Sequence, residues 1–423
     1  MINNLLIKRI TLPNGIRLVQ FPKSQKMTAQ LSVVIQCGSK LDSEKNAGIA
    51  HYLEHMVGGG SKEHINAMHS IEQNGGFLDL STDLECTVGS ADIFPEKLNE
   101  TSELLAKLFF QYEFEEKKFD LEKKVILNEI AESFDEPWNI VEDMLRMNLY
   151  NIHPVRHPIL GYPKTVRKFL FNEIIEAKQK YYTPQNTILI LTGKYSGRNV
   201  ESVVKNFLEI KKSKTLSKKY NYIKDGKPKK ISKKTKTGIS PAYLGFGYRT
   251  AFGKHPDNPV LDLFSATMGA GESSRLFREL REKRALAYRI ESSNCNGEDF
   301  GFFSIQCAVN PSKIKETTNL ILKEITNLKT KKVSDEELSK VKNMVIGDFF
   351  RGIDHSLALH LQLARLEILF ADEYAIPKYL EKIKSVSVDD LIEVVNKYIG
   401  ERNSSKALLT PEKMNTCINN SPD

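Results

Sequence analysis

The chain has 423 residues, 40% hydrophobic and 27% charged, with 24 glycines and 16 prolines, a balance that suits a globular protein of more than one domain and excludes disordered and fibrous classes. A net charge of +8 suggests polyanion binding until it is located: residues 211–236 hold twelve Lys and one Asp, so the remainder carries −3. That segment has only Tyr220 and Tyr222 as aromatics and is interrupted by Gly226 and Pro228, which fits a solvated linker better than a nucleic-acid or membrane surface.

The stretch Met1–Ile10 has no long apolar core behind a basic start and no small-residue cleavage site, so no secretory signal is read there. No apolar run approaches bilayer length. Five cysteines, Cys37, Cys86, Cys295, Cys307 and Cys417, are an odd number without C-x-x-C spacing. They read as reduced thiols in a cytoplasmic protein rather than a disulfide framework or a sulfur-ligated metal.

In chain order, the β-prone arms on either side of Asn14-Gly15 predict a hairpin, and Ala29–Cys37 a third strand. Ala47–Val57 lacks proline, carries apolar residues at helical spacing and meets Gly58-Gly59-Gly60, which predicts a helix broken at the glycines. A polar helix over about 62–74, two strands across 77–88, helices from Pro95 to Phe134 and another from Trp138 to Tyr150 follow. The proline-rich stretch His153–Pro163 has no regular structure. A helix before Tyr181 and a strand after Asn186 close the first half.

Inside the Ala47–Val57 helix stands His51-Tyr-Leu-Glu54-His55, an H-x-x-E-H motif. Histidines at i and i+4 share one helix face and can grip one borderline-soft cation such as Zn2+, with the glutamate beside them. Composition alone would produce such a motif in on the order of one chain in a hundred. A catalytic zinc needs a third protein ligand and an open position. Glu122 and Glu129 stack two turns apart on a later helix, and Glu132 shares their face, so spacing leaves the choice open.

The second half predicts a strand over 242–249, a helix from about Pro259, strands near 287–294 and 300–309, and helices over most of 313–397. Gly269-Ala-Gly271 lacks the Gly-Lys-Ser/Thr of a phosphate loop and reads as a turn leading into a helix. Lys180-Tyr181 and Asn186 map onto Lys397-Tyr398 and Asn403 at one constant offset, which suggests an internal duplication. No second H-x-x-E-H occurs. The expected organisation is a first domain over 1–210, a linker over 211–236 and a related second domain over 237–423.

Gly48-Ile-Ala-His51 through His55-Met, Asn74-Gly-Gly, Glu122–Ile130, His153–Gly161 and Ser273–Tyr288 together resemble the pitrilysin/insulinase family of zinc metallopeptidases, in the short-chain branch similar to the catalytic subunit of the mitochondrial processing peptidase. The resemblance implies His51, His55 and Glu129 as metal ligands, Glu54 as general base and Glu122 as a carboxylate supporting a ligand. It also implies that Arg281 and Tyr288 hold substrate and stabilise the oxyanion; read without it, Arg281 is one of many solvated charges and Tyr288 a core residue. Within Gly75–Thr82 the sequence departs from the family pattern Gly-Gly-x-x-Asn-Ala-x-Thr by carrying Asp79-Leu80 for Asn-Ala, and Cys86 replaces a frequent His.

The implied fold is α+β, two homologous domains each with a mainly antiparallel sheet flanked by helices. Family members close a chamber with four such domains, so a chain supplying two implies a homodimer acting on unfolded peptides. The alternatives are a processing peptidase for one precursor and a catalytically inactive assembly subunit of the same fold.

Overall fold

Asn14-Gly15 turns the chain between β1 (Lys8–Thr11) and β2 (Arg17–Pro22), which pair antiparallel. Gly15 supplies the positive φ of 100° there. The computed structural model describes residues 7–412 apart from 24, 213–222, 224, 332 and 355. β3 (Ala29–Ile35), β4 (Phe77–Thr82), β5 (Thr87–Ile93) and β6 (Thr187–Gly193) complete a six-stranded sheet in the order β1-β2-β6-β3-β5-β4. Only β2 and β6 run parallel within it.

The helices of this half are α1 (Ile49–Gly59), α2 (Lys62–Gln73), α3 (Leu98–Ala106), α4 (Glu116–Asp135), α5 (Pro137–Leu149), α6 (Pro163–Val166), α7 (Phe171–Tyr181) and α8 (Gly197–Leu208). α1 starts two residues later than its sequence pattern suggests and runs through Gly58 and Gly59.

The second sheet contains β7 (Ile231–Lys236), β8 (Ala242–Arg249), β9 (Ala287–Asn296), β10 (Gly301–Val309) and β11 (Ser404–Pro411), in the order β7-β11-β8-β10-β9. Its helices are α9 (Asn258–Gly269), α10 (Ile314–Thr330), α11 (Asp335–Asp354), α12 (Ser356–Leu369), α13 (Ala375–Ser385) and α14 (Val388–Tyr398). The fold is α+β with two related domains. β7, β11, β8, β10 and β9 repeat the order and directions of β2, β6, β3, β5 and β4, including one parallel pair in each sheet. Asn186 donates to the carbonyl of Tyr181 at 2.9 Å, and Asn403 to that of Tyr398 at 3.3 Å. The duplication predicted from those residues is therefore one of topology as well.

The lysine segment differs from its expected form at its end. Residues 213–222 and 224 lie outside the described residues, but Ile231–Lys236 is β7, an edge strand with Lys233 and Lys234 exposed. Lysines along a free edge discourage pairing with another chain, so a charged run and a strand are compatible here.

Alternation along β3 sends Leu31, Val33 and Ile35 into a core with α1 and α3, and Val34 into a second core on the other face. That second core is filled by Phe349, Leu359, Leu363 and Leu380 from α11, α12 and α13. The second half thus covers the back of the first sheet, and α1 packs on the front with other helices of the first half. No helix among the described residues is long and apolar enough to cross a membrane.

Candidate metal centre

α1 is fixed at its start by two glycines and a buried carboxylate. Gly48 sits at φ 98° and Gly161 at φ 77°, and a Cβ on either would fall within 2.7 Å of a backbone oxygen across the contact between them. Asp42 Oδ2 accepts from the Gly48 N–H at 2.8 Å, placing a carboxylate at the N-terminus of the helix. Burial raises the Asp42 carboxyl, and the backbone N–H groups of Gly48, Ala50 and Ile49 pull it back down.

Ile49, Tyr52, Leu53, Met56 and Val57 bury one side of α1 in the core. The spacing 51, 54, 55 leaves His51, Glu54 and His55 together on the remaining face. Tyr52 clips this helix to α4, stacking on Phe119 at 5.0 Å and donating to the Phe119 carbonyl at 2.6 Å. Carboxylates of α4 are thereby brought over the histidines.

Ligand atoms of His51, His55 and Glu129 all lie within 4.8 Å of one another. Glu129 Oε2 is 3.5 Å from His51 Nε2 and 3.2 Å from His55 Nε2. Glu122 Oε2 lies 3.0 Å from His55 Nδ1, which directs the other ring nitrogen toward Glu129. Burial, followed by the neighbouring His55, lowers the His51 pKa to about 3, so its ring is neutral. For His55 burial also opposes charge, but the Glu122 hydrogen bond and the charges of Glu129 and Glu54 outweigh it and raise the pKa.

Glu54 is buried, with Oε2 4.0 Å from His51 Nε2 and accepting from Thr82 Oγ1 at 2.9 Å. Burial is the largest influence on its carboxyl and raises it, against the lowering effects of His55 and Thr82. Two imidazole nitrogens and one carboxylate oxygen around one point, with a further carboxylate beside them, are the donor set of a catalytic zinc site with one position open. Glu132 is exposed on α4 and outside this cluster.

Arg281 and Tyr288 make their described contacts elsewhere than at the cluster. Arg281 lies in the helical turn Phe277–Glu282 with its guanidinium 5.0 Å from the Phe277 ring centre, and it donates to the backbone carbonyl of Tyr288 at 2.9 Å. The Tyr288 side chain, on β9, is 87% exposed, so it is not a core residue. Among the described contacts none joins either residue to His51, His55 or Glu129.

Residues 18–162 match the family described as Insulinase (Peptidase family M16), and 169–345 match the Peptidase M16 inactive domain. The chain belongs to peptidase family M16. The zinc protease YmxG of Bacillus subtilis, described as uncharacterized, is 26% identical over 91% of this chain and 93% of its own length. The zinc protease PqqE of Helicobacter pylori is 26% identical over 95% and 92%. Among solved structures, a protease from Helicobacter pylori superposes with a TM-score of 0.88 at 24% identity, covering 96% of this chain and 99% of that one. A chain of complex III2 from Candida albicans reaches 0.81 at 15% identity, covering 95% of each. The candidate metal ligands of this M16 chain lie wholly within the part that matches the Insulinase description, and Arg281 and Tyr288 within the part that matches the inactive domain.

Sequence reasoning missed the parts that hold this cluster. In the sequence Thr82 is one polar residue of a predicted strand, and Gly59 reads only as a helix breaker. A Cβ on Gly59 would sit 2.4 Å from Glu122 Oε1, so the glycine leaves room for the carboxylate that meets His55. Neither role leaves a local pattern, because each partner lies on a different element.

Proposed function

We propose that the chain is a zinc-dependent endopeptidase that hydrolyses unfolded peptides. The observation that carries this reading is the convergence of His51, His55 and Glu129 with Glu54 poised beside them. His51, His55 and Glu129 would hold a zinc ion, which would supply Lewis acidity toward the scissile carbonyl and the attacking water. Glu54 takes a proton from the attacking water on its carboxylate and passes it to the leaving amine. Glu122 fixes the ring of His55 through Nδ1.

The substrate binds extended, adding a strand to the free edge of β4, where backbone pairing tolerates varied side chains. β4 is an edge of the first sheet and ends at Thr82, beside Glu54, which supports that placement. Enclosure in a chamber admits unfolded chains and excludes folded ones. Because Tyr288 is exposed and has no described contact with the cluster of its own chain, we assign Arg281 and Tyr288 to the site of a second copy in a homodimer. Donation from each to the oxyanion would contribute about 3 kcal/mol to lowering the barrier. The buried, unpaired thiols Cys37, Cys86 and Cys307, each pushed up by burial, support a reducing cytoplasmic setting.

A second reading, an inactive assembly subunit, is favoured by the fold shared with complex III2 and by the description of the second domain. The intact ligand set weighs against it. Cleavage of unstructured peptides of graded length by wild type and Glu54→Gln, with and without a chelator, separates the two. Cleavage that is lost in both treatments is expected; cleavage that survives both, or a wild type that cleaves nothing, overturns the proposal.

A further inference from the structure

α1 fixes the backbone of Glu54, but the last torsion of a glutamate is broad and nearly two-fold, so the helix alone does not fix where the carboxylate oxygens point. Among the described residues, one hydrogen bond to that carboxylate is recorded: Thr82 Oγ1 to Oε2, 2.9 Å. Thr82 is the last residue of β4 and stands opposite Thr87, the first residue of β5. The turn between them is closed by the Asp83 N–H donating to the Cys86 carbonyl at 2.8 Å.

The direction of the Thr82 hydroxyl is also set. Thr87 is fully buried and donates its hydroxyl proton to the carbonyl of Cys37 at 2.8 Å, just beyond the end of β3. It therefore offers Thr82 only a lone pair, at 3.4 Å. The Thr82 proton goes to the nearer acceptor, the Glu54 carboxylate, a charge-assisted bond stronger than one to a neutral hydroxyl. A chain of contacts runs from the end of β3 through Thr87 and Thr82 to Glu54, tying the carboxylate to the sheet.

We infer that Thr82 is a positioning residue for the proposed reaction: its hydroxyl holds one Glu54 oxygen so that the carboxylate stays aimed at the attacking water. This rests on the endopeptidase reading above. Thr82 touches neither the metal ligands nor, through its hydroxyl, the reacting atoms. Its side chain also forms part of the wall of a cavity of about 310 Å³ that reaches Phe134 and Arg146. A valine there keeps the shape of the wall and removes only the donor.

The test uses the full-length, zinc-loaded protein with an unstructured peptide substrate and the variants T82V, T82A and T82S beside E54Q. For T82V, kcat is expected to fall about tenfold to a hundredfold with KM within about twofold of wild type, as for a misaimed catalytic group. Zinc affinity, read by competition with a chromogenic chelator, and the unfolding midpoint should stay at their wild-type values. T82S should recover most of the rate, and T82A should lose as much as T82V. Should T82V fold poorly, the T82A and T82S pair carries the same comparison. The inference is overturned if T82V turns over like wild type, if T82S loses as much rate as T82V, or if zinc affinity falls in step with the rate. An inactive wild type overturns the endopeptidase reading and this inference with it, whereas an active wild type matched by T82V overturns this inference alone.

Discussion

Glu122 Oε2 lies 3.0 Å from Nδ1 of His55, while Glu129 lies 3.2 Å from Nε2 of the same ring. One imidazole is thus held between two carboxylates of α4, Glu122 at Nδ1 and Glu129 at Nε2. Replacing Glu122 by Gln should weaken zinc binding about 10- to 100-fold, the range for a lost partner of a metal-bound histidine. Gly59→Ala, which places a Cβ 2.4 Å from Glu122 Oε1, should act in the same direction. Chelator competition at fixed pH reads both, and wild-type affinity in both would show that this carboxylate does not support the site.

Stability should depend on a histidine outside the candidate metal centre. His360 on α12 is fully buried, with Nδ1 2.6 Å from Ser32 Oγ and Nε2 2.7 Å from Thr192 Oγ1 on the back of the first sheet. Burial lowers its pKa from 6.5 to about 3. Below pH 6.5 the unfolded chain takes up a proton that the folded one refuses, so stability is complete above that pH and declines toward pH 3. The slope is ~1.4 kcal/mol per pH unit for one such group. Burial moves His51 and His64 the same way, to about 3 and about 4. Denaturant unfolding of metal-free protein between pH 4.5 and 7.5 should lose about one proton of this slope in His360→Gln; an unaltered slope would show that His360 already carries a proton when folded.

The elements the sequence made legible are those whose signal is local. His51, Glu54 and His55 fall within one helical turn and a half, so periodicity alone put them on one face. Glu129 and Glu132 could not be separated that way, because both fit the periodicity of α4; the docking of Tyr52 on Phe119 decides which turn of α4 lies over the histidines. α12 read as one more helix of the second half, and nothing in its own pattern of leucines announces that it covers the first sheet. Thr82 and Glu54 are 28 positions apart, and a single hydroxyl in a strand carries no mark of its partner.

The two halves are joined by a buried cation. Lys40 Nζ lies 2.6 Å from Glu85, at the β4–β5 turn, and 3.0 Å and 3.6 Å from Glu298 and Asp299, at the β9–β10 turn. Its side chain is only 2% exposed. Burial alone would lower its pKa, yet those three carboxylates raise it, and it stays charged. Lys40→Met should destabilise the protein by about 3–5 kcal/mol, because the carboxylates lose their counter-charge in a desolvated interface. Denaturant unfolding reads the loss, and limited proteolysis should find new cleavage between the halves. A change below about 1 kcal/mol would mean that water reaches these groups and screens them.

The exposed position of Tyr288 makes the proposed homodimer testable by complementation. Glu54→Gln removes the proposed base and leaves Tyr288 intact, whereas Tyr288→Phe removes the proposed oxyanion donor and leaves Glu54. Each variant alone should turn over far more slowly than wild type with little change in KM, since both groups act in the transition state. If Tyr288 serves the metal centre of the other copy, a dimer of one Glu54→Gln chain and one Tyr288→Phe chain contains one complete site: the metal centre of the second chain with the tyrosine of the first. Random assembly makes about half the dimers mixed, each with one working site of two, so about a quarter of wild-type activity should return. Selecting the mixed dimer with two affinity tags should raise the recovery to about one half. If Tyr288 instead serves its own chain, every site in the mixture lacks either base or donor. A purified mixed dimer as slow as its parents would then rule out the exchange of residues between copies.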